Sequence, residues 1–120
     1  LMIREMIEKI LRELGAYRID KVGDGQQALS RIQRANAEGQ PYDLVTLDWE
    51  MPMMHGLDLL KIIRGDDALK NLAVLMISTR GDAEHIRQIA PYMPSGFIVK
   101  PFKPEFLKER ILSLLTPPKA

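Results

Sequence analysis

The sequence contains no cysteine, which excludes a disulfide framework, a thiolate metal site and a cysteine nucleophile. It also lacks an excess of either charge, because 17 basic and 16 acidic residues leave a formal net charge of +1. That balance gives no reason to expect binding to nucleic acid or to a membrane surface. No apolar run approaches the roughly 18 residues that a membrane span needs, and no signal-peptide pattern is present. We therefore expect one cytoplasmic domain with a single core.

The stretch from residue 44 to residue 56 organises the sequence. Apolar and β-branched residues fill positions 44–47, which is typical of a strand buried on both faces of a parallel sheet. Pro52 cannot donate a hydrogen bond to a sheet, so the strand ends before it. Asp48 is then expected at the carboxyl end of a strand, the edge where open α/β sheets bind ligands. A turn former or a helix cap is the alternative interpretation of this aspartate.

Helical and extended patterns alternate along the chain. The predicted helices cover residues 3–14, 25–35, 56–64, 82–90 and 104–115, and the predicted strands cover residues 17–22, 44–47, 73–77 and 96–99. Of the strands, 17–22 has the weakest pattern, because charged residues alternate with its apolar ones. This alternation predicts parallel βαβ units and a doubly wound α/β sheet.

Three predicted strands end in polar side chains of different chemistry. Asp48, Ser78 and Lys100 supply a carboxylate, a hydroxyl and an ammonium group at the same edge of the predicted sheet. Together they could bind a phosphoryl group, with the carboxylate as nucleophile and the other two groups on the charged oxygens. Taken singly, Ser78 could be a helix-capping hydroxyl and Lys100 an ordinary exposed lysine. The joint placement favours the phosphoryl site.

Six motifs in order along the chain resemble those of the receiver domain of bacterial two-component response regulators, most closely the single-domain chemotaxis regulators. They are Leu11-Arg-Glu-Leu-Gly15, Asp24-Gly25, Leu47-Asp-Trp-Glu-Met-Pro52, Gly56-Leu-Asp-Leu-Leu-Lys61, Val74-Leu-Met-Ile-Ser78 and Ser95-Gly-Phe-Ile-Val-Lys-Pro-Phe102. The resemblance implies a flavodoxin-like receiver fold with strand order 2-1-3-4-5.

The same resemblance implies roles for individual residues. Asp48 would accept phosphate from a sensor histidine kinase, Lys100 would pair with the acyl phosphate, and Ser78 would move in to bind it. Mg²⁺ would be the cofactor, with Asp48 and the backbone carbonyl of Glu50 among its ligands. Phe97 stands where the family has an aromatic switch residue. The fourth helix, last strand and fifth helix would then present the altered surface to a downstream target protein or effector domain.

One part of the family pattern is absent from these 120 residues. In the family, a first strand ending in two acidic residues that bind magnesium precedes the opening helix. The resemblance therefore implies a receiver domain over residues 1–116 that starts inside its first helix, with residues 117–120 as a tail. Asp66 and Asp67 do not replace the acidic pair, because no apolar strand leads to them. We expect that the first strand either belongs to the natural protein or is supplied by another chain.

Three functions remain open at this stage. The first is a phosphorylation-controlled signalling switch, which is not an enzyme. The second is a phosphohydrolase of the haloacid-dehalogenase type, which also uses a strand-end aspartate. Against it, Glu50 stands where those enzymes carry an aspartate, and their late acidic metal motif is missing. The third is a pseudo-receiver that binds partners without phosphate chemistry, which the missing acidic pair favours and the intact Asp48, Ser78 and Lys100 oppose.

Overall fold

Three apolar runs form the strands of a parallel sheet, and helices cover both of its faces. The computed structural model describes residues 2–15, 19–48, 56–79, 81–100 and 102–115. The strands are β1 (Leu44–Asp48), β2 (Ala73–Ser78) and β3 (Gly96–Val99). The helices are α1 (Met2–Glu13), α2 (Gly25–Ala37), α3 (Gly56–Gly65), α4 (Ala83–Ile89) and α5 (Pro104–Leu115), and a short 3₁₀ turn covers Ala90–Tyr92.

Within these residues the strand order is β1-β2-β3, and both pairings are parallel. Asp48 at the end of β1 is paired with Ile77, and Ser78 at the end of β2 is paired with Val99. β2 extends one residue beyond the partner of the last residue of β1 and ends level with β3, so the three strands end at one edge of the sheet. This order agrees with the last three strands of the predicted order 2-1-3-4-5.

Side chains alternate between the two faces of the sheet, as the strand geometry requires. Leu47 and Met76 belong to a core formed with α2 and α3 on one face. Ile77 and Ile98 belong to a second core formed with α1 and α5 on the other face. The strands thus lie between two apolar layers, which explains why their sequences are nearly continuous apolar runs.

The ends of the first two helices follow from local chemistry. Gly15 adopts a left-handed backbone with φ of 98° just after α1, as its position in the sequence predicts. Asp24 caps α2, because its carboxylate accepts a hydrogen bond of 2.8 Å from the Gln27 amide. In the described part of the chain, no helix is both long and apolar enough to cross a membrane.

The prediction of a strand at residues 17–22 is wrong for residues 19–22, which are not in a strand. Residues 17 and 18 lie outside the described residues, as do 116–120, which include the predicted tail. The physical reason is that these residues have no strand to pair with among the described residues. In the predicted order this strand pairs only with the first strand, and among the described residues the sheet consists of β1, β2 and β3. An alternating pattern of apolar and polar residues does not form a stable strand unless a neighbouring strand forms hydrogen bonds with it.

Candidate functional site

The carboxyl edge of the sheet brings Asp48 and Lys100 into direct contact. Lys100 Nζ donates a hydrogen bond to Asp48 Oδ2 at 2.9 Å, and the two side chains form an ion pair. Asp48 is the last residue of β1, and Lys100 directly follows β3. Since β2 lies between these strands, the long lysine side chain spans the end of β2 to reach the carboxylate.

The two members of this ion pair differ in exposure. The Asp48 side chain is 42% exposed, whereas the Lys100 side chain is 16% exposed. Solvent can reach the carboxylate. The Lys100 side chain is largely covered, and its ammonium group lies beside the carboxylate. The pair thus places an accessible carboxylate next to a fixed positive charge.

Ser78 is the third predicted residue, and the structure places it at the same edge. It is fully buried at the end of β2, and its backbone carbonyl accepts a hydrogen bond of 2.7 Å from the Lys100 amide. That bond ties the ends of β2 and β3 together. Asp48, Ser78 and Lys100 are named the strand-end site from here on.

Phe97 lies two residues before Val99 on β3, on the same face of the sheet. It is partly buried against the core formed with α2 and α3, and it is paired with Met76. Since Ser78 follows Met76 by two residues, Ser78 and Phe97 share this face. Val99 is paired with Ser78 and lies two residues beyond Phe97 on the same face, so it neighbours both predicted switch residues.

Glu50, the second predicted magnesium ligand, lies outside the described residues. Among the described residues, no three acidic, histidine or cysteine side chains are grouped as a metal site. The strand-end site contributes one carboxylate there, and one of its oxygens accepts a hydrogen bond from Lys100. Mg²⁺ binds oxygen ligands and normally keeps several waters, so this donor set alone makes an incomplete site.

Sequence reasoning missed the contact between Gly81 and Val99. A side chain at residue 81 would place its Cβ 2.7 Å from Val99 Cγ2. Gly81 is not among the glycines with positive φ, so close packing and not backbone conformation explains the glycine. The signal in the sequence was a glycine between a strand end and a helix start, which we interpreted only as part of a loop.

Comparison with known proteins agrees with this geometry. Residues 1–112 match the family described as the response regulator receiver domain. The chemotaxis protein CheY-3 of Vibrio cholerae serotype O1 is 39% identical over 109 residues, which cover 91% of this chain and 80% of the relative. The chemotaxis protein CheY of Pseudomonas aeruginosa is 37% identical over 109 residues, covering 91% of this chain and 84% of the relative.

Solved structures show the same fold. The chemotaxis response regulator CheY4 of Vibrio cholerae superposes with a TM-score of 0.83 at 30% identity, covering 96% of this chain and 91% of that one. A chain of the CheX-CheY-BeF3-Mg²⁺ complex from Borrelia burgdorferi superposes with a TM-score of 0.82 at 28% identity, covering 97% and 83%. From the fold, the strand-end residues and these matches, the chain belongs to the response regulator receiver domains of two-component signalling and is similar to CheY.

Proposed function

We propose that this receiver domain is a phosphorylation-controlled switch in which Asp48 accepts a phosphoryl group from a sensor histidine kinase. The observation that carries the proposal is the Lys100–Asp48 contact of 2.9 Å at the carboxyl edge of the sheet. It combines an accessible carboxylate with a covered ammonium group, and Ser78 lies at the end of the strand between them. Phosphoryl transfer needs positioning and charge stabilisation more than any other contribution from the protein.

In the proposed step, a carboxylate oxygen of Asp48 attacks the phosphorus of a phosphohistidine on the kinase. The P–N bond breaks, and its electron pair stays on the imidazole nitrogen, which then takes up a proton. The product is an acyl phosphate on Asp48. Lys100 exchanges its carboxylate contact for a phosphoryl oxygen, and the Ser78 hydroxyl donates to another. Both groups thereby stabilise the negative charge that the phosphoryl group adds to the site.

The switch would follow from this exchange of contacts. A phosphoryl group shifts a conformational equilibrium only if it makes different contacts in the two states, and Ser78 and Lys100 supply such contacts. Phe97 shares a face with Ser78, so we propose that movement at Ser78 is transmitted to Phe97. The surface of α4, β3 and α5 would then bind a downstream target protein or effector domain. We place the domain in the cytoplasm on its similarity to CheY.

Magnesium is the proposed cofactor, held by Asp48 and the backbone carbonyl of Glu50. When bound, it would neutralise charge on the phosphoryl oxygens. Because the described residues supply one carboxylate, we expect the 120-residue chain to bind Mg²⁺ at least about tenfold more weakly than a form extended by a strand ending in two acidic residues. Titration of Mg²⁺ against Trp49 fluorescence measures both affinities. Equal, tight binding by the two forms would show that the ligands have been assigned wrongly.

The test of the proposed function is incorporation of acid-labile phosphate from a small acyl-phosphate donor into the natural full-length protein. We expect the wild type to be labelled and Asp48→Asn to be unlabelled, because an amide is not a nucleophile of comparable strength. Asp58→Asn is the matched control, since Asp58 is an exposed aspartate in the first turn of α3. Equal labelling of wild type and Asp48→Asn would contradict the assignment. No labelling of the wild type would favour a pseudo-receiver.

A further inference from the structure

Gly81 precedes α4 and lies close to Val99 of β3. A Cβ at residue 81 would lie 2.7 Å from Val99 Cγ2 and within 3.7 Å of the other two side-chain carbons of Val99. A distance of 2.7 Å is far inside the carbon–carbon contact of about 3.5–4.0 Å at which packing is favourable. Gly81 can therefore lie this close to Val99 only because it has no side chain.

Val99 connects this contact to the strand-end site. It is paired with Ser78 in the register of β2 and β3, and it directly precedes Lys100. A backbone hydrogen bond of 2.7 Å also joins the Lys100 amide to the Ser78 carbonyl. Gly81 thus packs against a residue that is joined directly to both Ser78 and Lys100.

The Val99 side chain can move away from a new Cβ at residue 81 in only a few ways. It is branched at Cβ, so it moves by changing between a few χ1 rotamers rather than by bending away. It is 39% exposed and lines a surface depression together with Phe97, Phe102 and Phe106. A displaced Val99 would disturb Phe97, which lines the same depression, and would shift Ser78, with which it is paired.

We propose that Gly81 is a positioning residue for the strand-end site. Its close approach to Val99 sets the position of Val99, and through it the placement of Ser78 and Lys100 at the edge where Asp48 lies. The inference rests on the proposed phosphorylation of Asp48 and adds a residue that positions its charge-stabilising groups. A side chain at residue 81 displaces Val99, and with it the groups that stabilise the phosphoryl oxygens.

The test compares Gly81→Ala, Val99→Ala and the double variant in the natural full-length protein. We expect Gly81→Ala to lower the rate constant of phosphorylation by a saturating acyl-phosphate donor about tenfold, because small misplacements of catalytic groups are costly. The donor concentration at half-saturation should change little. Val99→Ala removes the carbons that the new Cβ meets, so the double variant should recover most of the rate. Gly23→Ala is the matched control, since no atom lies within 4 Å of its added Cβ.

All rates are measured at a temperature where each variant is folded by circular dichroism, and the Ser78 and Lys100 amide shifts are recorded alongside. Recovery of rate and shifts in the double variant supports the proposal. If Gly81→Ala is as fast as the wild type, or if the double variant is as slow or as unfolded as Gly81→Ala, the proposal is overturned while the proposed function stands. If the wild type takes no phosphate, the proposed function fails and this inference fails with it.

Discussion

The two ends of the same sheet are held in opposite ways. At the amino end of β2, the Arg64 guanidinium donates hydrogen bonds to four acceptors on two separate stretches of chain. At the carboxyl end, an ion pair joins Asp48 and Lys100, beside the backbone bond from the Lys100 amide to the Ser78 carbonyl. The first arrangement binds backbone carbonyls, whereas the proposed phosphorylation would exchange the second for contacts with a phosphoryl group.

The amino-end arrangement is named the arginine clamp and comprises Arg64 and its acceptors. They are the carbonyl of Met93 at 3.0 Å, the carbonyls of Lys70 at 3.2 Å and Leu72 at 2.8 Å, and the Ser95 hydroxyl at 3.3 Å. Burial lowers the pKa of the Arg64 guanidinium, because the charged form loses solvation. An arginine still keeps its charge at any physiological pH, so the clamp does not respond to pH.

The clamp also stabilises an unusual backbone. Met93 has φ of 46°, a left-handed conformation that costs a residue with a side chain about 1–2 kcal/mol. The hydrogen bond from Arg64 Nε to the Met93 carbonyl holds that turn just before β3. Ser95 also connects this turn to β2. Its hydroxyl accepts a hydrogen bond of 3.0 Å from the Val74 amide, and its own amide donates a hydrogen bond of 2.9 Å to the Val74 carbonyl.

The difference between the two ends is suited to a switch. In the proposed switch, a rigid amino end would keep β2 and β3 in register while contacts at the carboxyl edge change on phosphorylation. The largest effect on stability should therefore come from the amino end, and the largest effect on phosphate chemistry from the carboxyl end. Single substitutions at each end separate the two.

Arg64→Ala tests the rigid end. We expect it to lower the free energy of unfolding by about 2–4 kcal/mol, because the substitution leaves carbonyls without their charged donor. Urea denaturation followed by circular dichroism measures the change. Arg34→Ala, an exposed arginine on α2, is the control and should change stability by less than about 0.5 kcal/mol. Equal, small effects of both substitutions would remove the distinction between the two ends.

Lys100→Met tests the exchangeable end. We expect a stability change within about 1 kcal/mol, since an ion pair with one exposed partner contributes little to folding. The rate of Asp48 phosphorylation should fall by about a hundredfold, because a group that stabilises charge on the phosphoryl oxygens is lost. Denaturation and labelling are measured on the same preparation. A large loss of stability with unchanged labelling would mean that Lys100 is structural.

The exchangeable end was more predictable from the sequence than the rigid one. Apolar runs bounded by turn residues predicted β1, β2 and β3, and placing polar residues after them predicted that Asp48, Ser78 and Lys100 share an edge. These inferences need only local pattern and the rule that parallel strands end together. Their roles in phosphate transfer stay predictions.

The clamp and the Gly81–Val99 contact could not be found in this way. Arg64 reads as the last basic residue of an amphipathic helix, and only the folded loops bring its four acceptors within reach. In the sequence Gly81 is an ordinary loop glycine, because its close approach to Val99 depends on where β3 lies in the fold. The failed strand at residues 19–22 has the same cause, because pairing depends on which segment lies alongside. Local sequence does not specify such long-range neighbours.

The most direct test of the central claim is the position of the phosphoryl group itself. The natural full-length protein is treated with an acyl-phosphate donor, and the product is reduced with borohydride, which converts an aspartyl phosphate to homoserine. Mass spectrometry of the peptide that contains residue 48 then locates the change. We predict homoserine at Asp48 in treated protein and aspartate there in untreated protein. Homoserine at a different residue, with Asp48 unchanged, would contradict the account.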